Sequence, residues 1–170
     1  MTVTAPYGID PHLLLGTLRR HATTVTVVTL SGGPGLPPVG FTATSFTSVS
    51  LRPQLVSFCL DRESTSWPAV QQARHVAVHL LAAGQHDLAR TFATKGIDRF
   101  ADQTAWTPGP YGMPLLRGVL ATLVCEVDAR VPAGDHAIVL GRPVHAEHRD
   151  AEPLLYHMGG YRRLDRAGTP

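Results

Sequence analysis

The chain is poor in cysteine, in net charge and in long apolar runs, and each shortage removes a class of protein. Only two cysteines occur in 170 residues, Cys59 and Cys125, each inside an apolar stretch. Such cysteines read as small buried hydrophobes, and two do not make a disulfide framework. The formal net charge is only +2, and no basic run or aromatic-interleaved patch adds to it, which argues against nucleic acid as a partner. No apolar run approaches the roughly 20 residues of a membrane span, and the N-terminus does not resemble a signal peptide. The expected setting is therefore the reducing cytoplasm, away from membranes. Charged residues make 16% of the chain against 44% hydrophobic, so it can bury a core and is not disordered. Its length fits a single domain spanning 1–170, with loose ends expected at 1–9 and 165–170.

Several motifs are missing as well. Nine histidines are present, but no HxH, HExxH or CxxC pattern is, and His145 and His148 would fall on opposite faces of a strand, so no metal site is expected. No G-x-S-x-G elbow points to an α/β-hydrolase. Gly33-Pro34-Gly35 lacks the third glycine of a dinucleotide fingerprint and leads into a strand instead of a helix.

What the chain does have is an unusual ribbon, GFTATSFTSVSLRP, from Gly40 to Pro53. β-Branched and hydroxylated residues favour an extended backbone there. Read as one strand, Thr42, Thr44, Phe46, Ser48 and Ser50 share one face, and Phe41, Ala43, Ser45, Thr47, Val49 and Leu51 the other. A face of short side chains lets a flat polar molecule approach the backbone, with hydroxyls to meet its edge. The plainer reading is a half-exposed Ser/Thr strand.

Along the chain, Asp10-Pro11 signals a helix start, and the helix runs to about His21. Strands are expected at Thr24–Leu30, in the ribbon, at Gln54–Asp61 and at His75–Leu81. Ser64-Thr65-Ser66 before Trp67-Pro68 reads as a short capped helix. Leu88, Ala89, Phe92 and Ala93 set a helix over 85–95, closed by Gly96. Residues 97–116 read as irregular. Val119–Val131 and His136–His148 form a hairpin about the PAGD turn. This order lacks βαβ alternation and predicts a mainly β, antiparallel barrel with short helices outside.

The segments TVTVVTL (24–30), GFTATSFTSVSLRPQLVSFCL (40–60), STSWPAV (64–70), FATKGIDRF (92–100), LVCEV (123–127), AGDHAIVLGRPV (133–144) and PLLYHMGGYRRL (153–164), in this order, resemble the flavin reductase-like family. Its members are FMN-binding, Greek-key split barrels that act as the reductase component of two-component flavin-dependent monooxygenases. The resemblance implies a homodimer that uses NADH or NADPH to reduce FMN or FAD and passes reduced flavin to a separate monooxygenase. The alternative is a flavoprotein with tightly held FMN, acting in electron transfer or on its own organic substrate.

The resemblance also implies a site. Flavin would lie along Phe41, Thr42, Ala43, Thr44, Ser45 and Phe46, with Ser48 nearby. Asp61, Ser64, Thr65 and Ser66 would hold the ribityl chain and phosphate, where a helix start with free N–H groups suits an anion; the plainer reading is that Ser64 or Thr65 only caps its own helix. Phe92, Lys95 and Arg99 form the second cluster. Arg99 offers a two-donor fork and Lys95 a point charge, which near a helix C-terminus also complements the dipole. His136, after Gly134-Asp135, would lie by flavin and nicotinamide as the catalytic-site histidine, donating a hydrogen bond or carrying charge. Tyr161 would pack near the ring or serve as a core aromatic. One departure stands out: His79 occupies a strand position where the family often has asparagine.

Overall fold

The computed structural model describes residues 8–164, so the loose ends expected at 1–9 and 165–170 lie, apart from Gly8 and Ile9, outside the described residues. In chain order the elements are α1 (Pro11–Leu18), β1 (Thr23–Thr24), β2 (Thr26–Leu30), β3 (Val39–Ala43), β4 (Thr47–Leu51), β5 (Gln54–Asp61), α2 (Trp67–Gln72), β6 (His75–Leu80), α3 (His86–Ala93), β7 (Trp106–Pro108), β8 (Pro114–Leu116), β9 (Ala121–Ala133), β10 (His136–His148), β11 (Leu155–His157) and β12 (Gly160–Arg162). Seven strands form one antiparallel sheet in the order β3-β2-β6-β9-β10-β5-β4. The chain crosses between distant strands twice, from β3 to β4 and from β5 to β6, as in a Greek key. The sheet curls until β3 comes alongside β5 without pairing to it, the seam of a split barrel. Among the described residues no helix is long and apolar enough to cross a membrane.

The ribbon differs from its sequence reading. It is two strands at opposite ends of the sheet order, not one, so the shared parity of Thr42, Thr44, Phe46, Ser48 and Ser50 does not hold. The break is local chemistry. Ser45 Oγ accepts the Cys59 N–H (2.8 Å) and donates to the Cys59 carbonyl (3.3 Å). One side chain thus takes the place of a ladder pair, and the backbone turns away at 44–46. A register shift between Ser48 and Ser50 offsets β4 further.

β2 is buried on both faces, which explains its unbroken apolar run. Val28 and Leu30 join the barrel core with Phe41, Phe58, Val76, Val78, Val124 and Val139. Val27 joins a second core with Leu81, Ala89, Phe92, Phe100, Leu116 and Leu154. Its two buried hydroxyls are satisfied: Thr26 Oγ1 donates to Ala43 O (2.8 Å) and Thr29 Oγ1 to Pro114 O (2.6 Å). The segment expected to be irregular contains the β7–β8 pair, which seals the second core.

α3 packs on β3 because its apolar residues recur at helical spacing, with Ala89 and Phe92 fully buried. Gly40 makes this contact possible. A Cβ there would lie 2.5 Å from Phe92 Cε1 and 3.1 Å from Phe100 Cζ. Phe92 stands edge-on to Phe100 (5.1 Å, 88°), and Phe100 to Trp106 (5.6 Å, 83°). α1 is different. Asp10 caps it, accepting from His12 N and Leu13 N (2.9 and 3.0 Å), but it buries no residue: Leu13, Leu14, Leu15 and Leu18 are all exposed, with Leu15 and Leu18 on the groove beside the 44–47 segment.

Candidate functional site

A cleft of about 410 Å³ opens where β3, the 44–46 link, the end of β5, the segment before α2, the end of α3 and the start of β10 meet. Its wall carries Phe41, Thr42, Ala43, Thr44, Ser45, Asp61, Ser64, Thr65, Phe92, Lys95, Arg99 and His136. Residues from six separate stretches of chain therefore converge on one cavity.

Strand register places the far side. His136 pairs directly with Asp61 between β10 and β5. Gly134 takes the positive φ of 64° that the tight β9–β10 turn requires. Arg62 clamps that turn, its Nη2 donating to Gly134 O (2.6 Å) and its backbone N–H to Asp135 O (3.0 Å). The His136 ring, half-exposed, has Nδ1 2.6 Å from Asp135 Oδ1. That contact holds the Asp135 carboxyl below the usual carboxylate range. The network assigns the proton to Nδ1, leaving Nε2 for the cleft.

The near side is held by α3 and the loop after it. Thr42 Oγ1 donates to Ala89 O (2.8 Å), tying β3 to the helix. Arg99 donates from Nε and Nη2 to Thr94 O (3.0 and 2.8 Å) and from Nη1 to Gly40 O (2.6 Å). These bonds fix the guanidinium at the rim while leaving part of its fork unbonded. Partial burial lowers its pKa from the ordinary value. Neither Arg99 nor Lys95 is ion-paired among the described residues, and Asp98 instead accepts the Phe100 N–H (2.9 Å). Lys95 is also the chain's only lysine. α3 ends at Ala93, so Lys95 lies in the loop beyond it, and Gly96 takes φ 77° one residue later.

The mouth near α2 offers fewer main-chain donors than a free helix start. The Ser66 N–H leans on Ser64 Oγ (3.3 Å), the Trp67 N–H is taken by Ser64 O (2.9 Å), and Pro68 has none. Of the ribbon's hydroxyls, Thr42 and Ser45 are already bonded to backbone, whereas Thr44 is exposed. The donor set is thus two unpaired cations with Ser64 and Thr65 at one end, and short side chains with Thr44 along the wall. It fits a ligand with a phosphate at one end and a flat ring at the other.

The sequence profile described as flavin reductase like domain matches residues 18–165. The chain belongs to the flavin reductase like family. It is 48% identical over 151 residues to a Rhodococcus qingshengii protein named NADH:FMN oxidoreductase, covering 86% of this chain and 78% of that one. It is 35% identical to HsaB, the reductase subunit of a flavin-dependent monooxygenase from Rhodococcus jostii, over 95% of this chain and 82% of the relative. Among solved structures, the NADH:FAD oxidoreductase SgcE6 of Streptomyces globisporus, in complex with NAD and FAD fragments, superposes with a TM-score of 0.87 at 35% identity, covering 96% of this chain and 99% of that one.

In this flavin reductase like chain, four of the residues singled out from sequence stand away from the cleft. Phe46 turns into a larger neighbouring groove of about 760 Å³ beside α1. Ser48 sits on β4, opposite Val56. Ser66 is buried as the residue before α2, and its side chain makes no cap bond. Tyr161, partly buried, packs edge-on to Tyr156 (5.6 Å, 67°) against the second core, under the Arg90 guanidinium. Cys59, Leu60 and Ala93 line the cleft and were not singled out. The β5 register to β10 was the available signal, since Cys59 and Leu60 precede Asp61 on the strand that meets His136.

His79 is wholly buried between β2 and β8. Its Nδ1 lies 3.1 Å from Val27 O, and its Nε2 accepts the Leu116 N–H at 3.1 Å. Burial lowers its pKa to about 4, so it is neutral, with the proton on Nδ1. The departure from asparagine is therefore a structural bridge, and His79 does not line the cleft.

Proposed function

We propose that this protein is an NADH-dependent flavin reductase that binds FMN or FAD in the cleft of Phe41, Arg99 and His136 and releases it reduced to a separate monooxygenase. The observation that carries this reading is the convergence of the short-side-chain ribbon, two unpaired cations and His136 on one cavity. When both are bound, the nicotinamide and the flavin supply the hydride transfer themselves, from C4 of one to N5 of the other. The chain's residues bind and orient. The main chain of Phe41 to Ser45 gives a flat wall without bulky side chains. Ser64, Thr65, Lys95 and Arg99 hold the phosphate end, with Asp61 facing the ribityl hydroxyls. His136, steadied by Asp135, presents Nε2 beside the reacting rings. Release to a separate monooxygenase requires flavin to be held loosely enough to exchange, so flavin acts as a substrate.

The names of the relatives support NADH as donor and a monooxygenase as recipient. Two free cysteines suit a reducing cytoplasm. The assay is direct: desalted protein is colourless and oxidises NADH only when FMN or FAD is added. Protein that stays yellow and consumes NADH without added flavin would favour a tightly bound flavoenzyme instead.

The same reading has the chain as one flavin reductase-like domain that pairs with a second copy as a homodimer. α1 exposes Leu13, Leu14, Leu15 and Leu18 and buries nothing on its own barrel, an apolar face that association would cover. Leu14→Glu with Leu18→Glu should shift sedimentation at micromolar concentration from dimer to monomer. An unchanged sedimentation profile would take α1 out of the interface.

A further inference from the structure

The β9–β10 turn that carries His136 has little around it. A Cβ at Gly134 would meet nothing within 4 Å, so no packing steadies the turn there. The Asp135 side chain is 87% exposed, so burial does not hold its carboxyl on the His136 ring either. Asp61, the cross-strand partner of His136, turns its Oδ1 to the Glu63 N–H instead (2.8 Å). What grips the turn is Arg62, 72 residues from Gly134 in the chain. Its guanidinium and its own N–H take two successive carbonyls, Gly134 O and Asp135 O (2.6 and 3.0 Å). Among the described residues Arg62 forms no contact ion pair that would draw the guanidinium elsewhere. The His136 ring first, and the Arg62 charge more weakly, hold the Asp135 carboxyl below the usual carboxylate range.

We propose that Arg62 is a positioning residue for the reductase reaction: by fixing the 134–135 main chain it keeps the Asp135 carboxyl on His136 Nδ1 and leaves Nε2 turned to the cleft. The proposal rests on the flavin reading above. Arg62 does not line the cleft, so it acts through Asp135. Without its side chain, the pairing of His136 with Asp61 and the Arg62 main-chain bond remain. The barrel therefore stays folded while the turn pivots at Gly134, where φ is 64° and glycine opposes rotation least. The carboxyl then leaves the ring part of the time, and the imidazole samples both tautomers. Misplacing a group beside the reacting atoms slows the reaction without weakening binding contacts at the far end of the ligand.

Arg62→Ala, Arg62→Lys and His136→Gln in the whole protein test this. The first readout needs no flavin. With nitrogen-15-labelled histidine at about pH 8.5, roughly two units above the ordinary imidazole value, the His136 signals, identified by their loss in His136→Gln, report which nitrogen carries the proton. Wild type should show it on Nδ1, and Arg62→Ala should move both nitrogens toward the average of the two tautomers. The second readout is flavin reduction in a single turnover at saturating NADH. Arg62→Ala should be about fivefold slower, with the FMN Kd, held in that reading by Lys95 and Arg99, within about twofold. Arg62→Lys keeps one donor and should recover part of the rate. Unchanged histidine signals, a wild-type proton on Nε2, or an unchanged rate with only a lower melting temperature overturns the proposal and leaves Arg62 a staple of the turn. An FMN Kd that weakens in step with the rate overturns it too. A His136→Gln as fast as the wild type would remove His136 from the reaction, which overturns that part of the flavin reading and this proposal with it.

Discussion

Arg99→Ala will weaken flavin binding about 10- to 100-fold, the loss of one charge-assisted hydrogen bond worth about 1.5–3 kcal/mol. The effect should appear in the flavin KM and in Kd, with kcat at saturating flavin within about threefold, because in the proposed complex the side chain holds the phosphate end and not the reacting ring. Arg99→Lys keeps the charge but loses the fork, so it should fall between the two. Both variants also lose tethers to Thr94 O and Gly40 O, which lowers the melting temperature. Adding FMN should recover less of that loss than it adds to the wild type. A flavin KM unchanged in Arg99→Ala, with the lower melting temperature alone, would leave Arg99 as a staple of the fold and remove it from the phosphate site.

The second large effect is at His79. His79→Ala deletes a ring that satisfies Val27 O and the Leu116 N–H and leaves a cavity, at a cost of about 4 kcal/mol in unfolding free energy. The same histidine makes stability depend on pH. Its folded pKa is about 4, against about 6.5 in the unfolded chain. Between those values the unfolded state binds the extra proton, so stability falls as the solution is acidified. The contribution is complete above pH 6.5 and lost by about pH 4, roughly 3 kcal/mol in all. Urea midpoints at pH 7 and pH 4.5 measure it. His79→Gln keeps a donor and an acceptor without a titrating ring, so its midpoint should drop less over this interval. An equal drop in both proteins would assign the acid sensitivity to carboxylates such as Asp135 and Glu126, whose lowered pKa values also favour the fold at higher pH.

Strand positions and the antiparallel class were legible in the sequence because alternation and turn residues are local signals. The hairpin of β9 and β10 was read nearly to the residue, down to the turn that orients His136. What was not legible depends on partners distant in the chain. Nothing in TATSFTS announces that Ser45 bonds to Cys59 and ends a strand. β7 and β8 are three residues each, too short for a periodic pattern, and exist because the second core needs closing. Tyr161 was separated from the cleft by packing against Tyr156, which no spacing reveals. For the cleft itself, the resemblance brought together residues that spacing alone could not, since Phe41 and His136 meet only through the order of the sheet.

That order governs how the cleft comes into being. β3 and β4 are consecutive in the chain yet terminate opposite ends of the sheet, so the cleft between them closes only once β2, β6, β9, β10 and β5 have been laid between them. The cleft wall is then complete only when the whole sheet has curled on itself. No excerpt of the chain shorter than the span from Phe41 to His136 carries it, and splitting the gene inside that interval would yield two halves, neither of which holds the cleft until they meet.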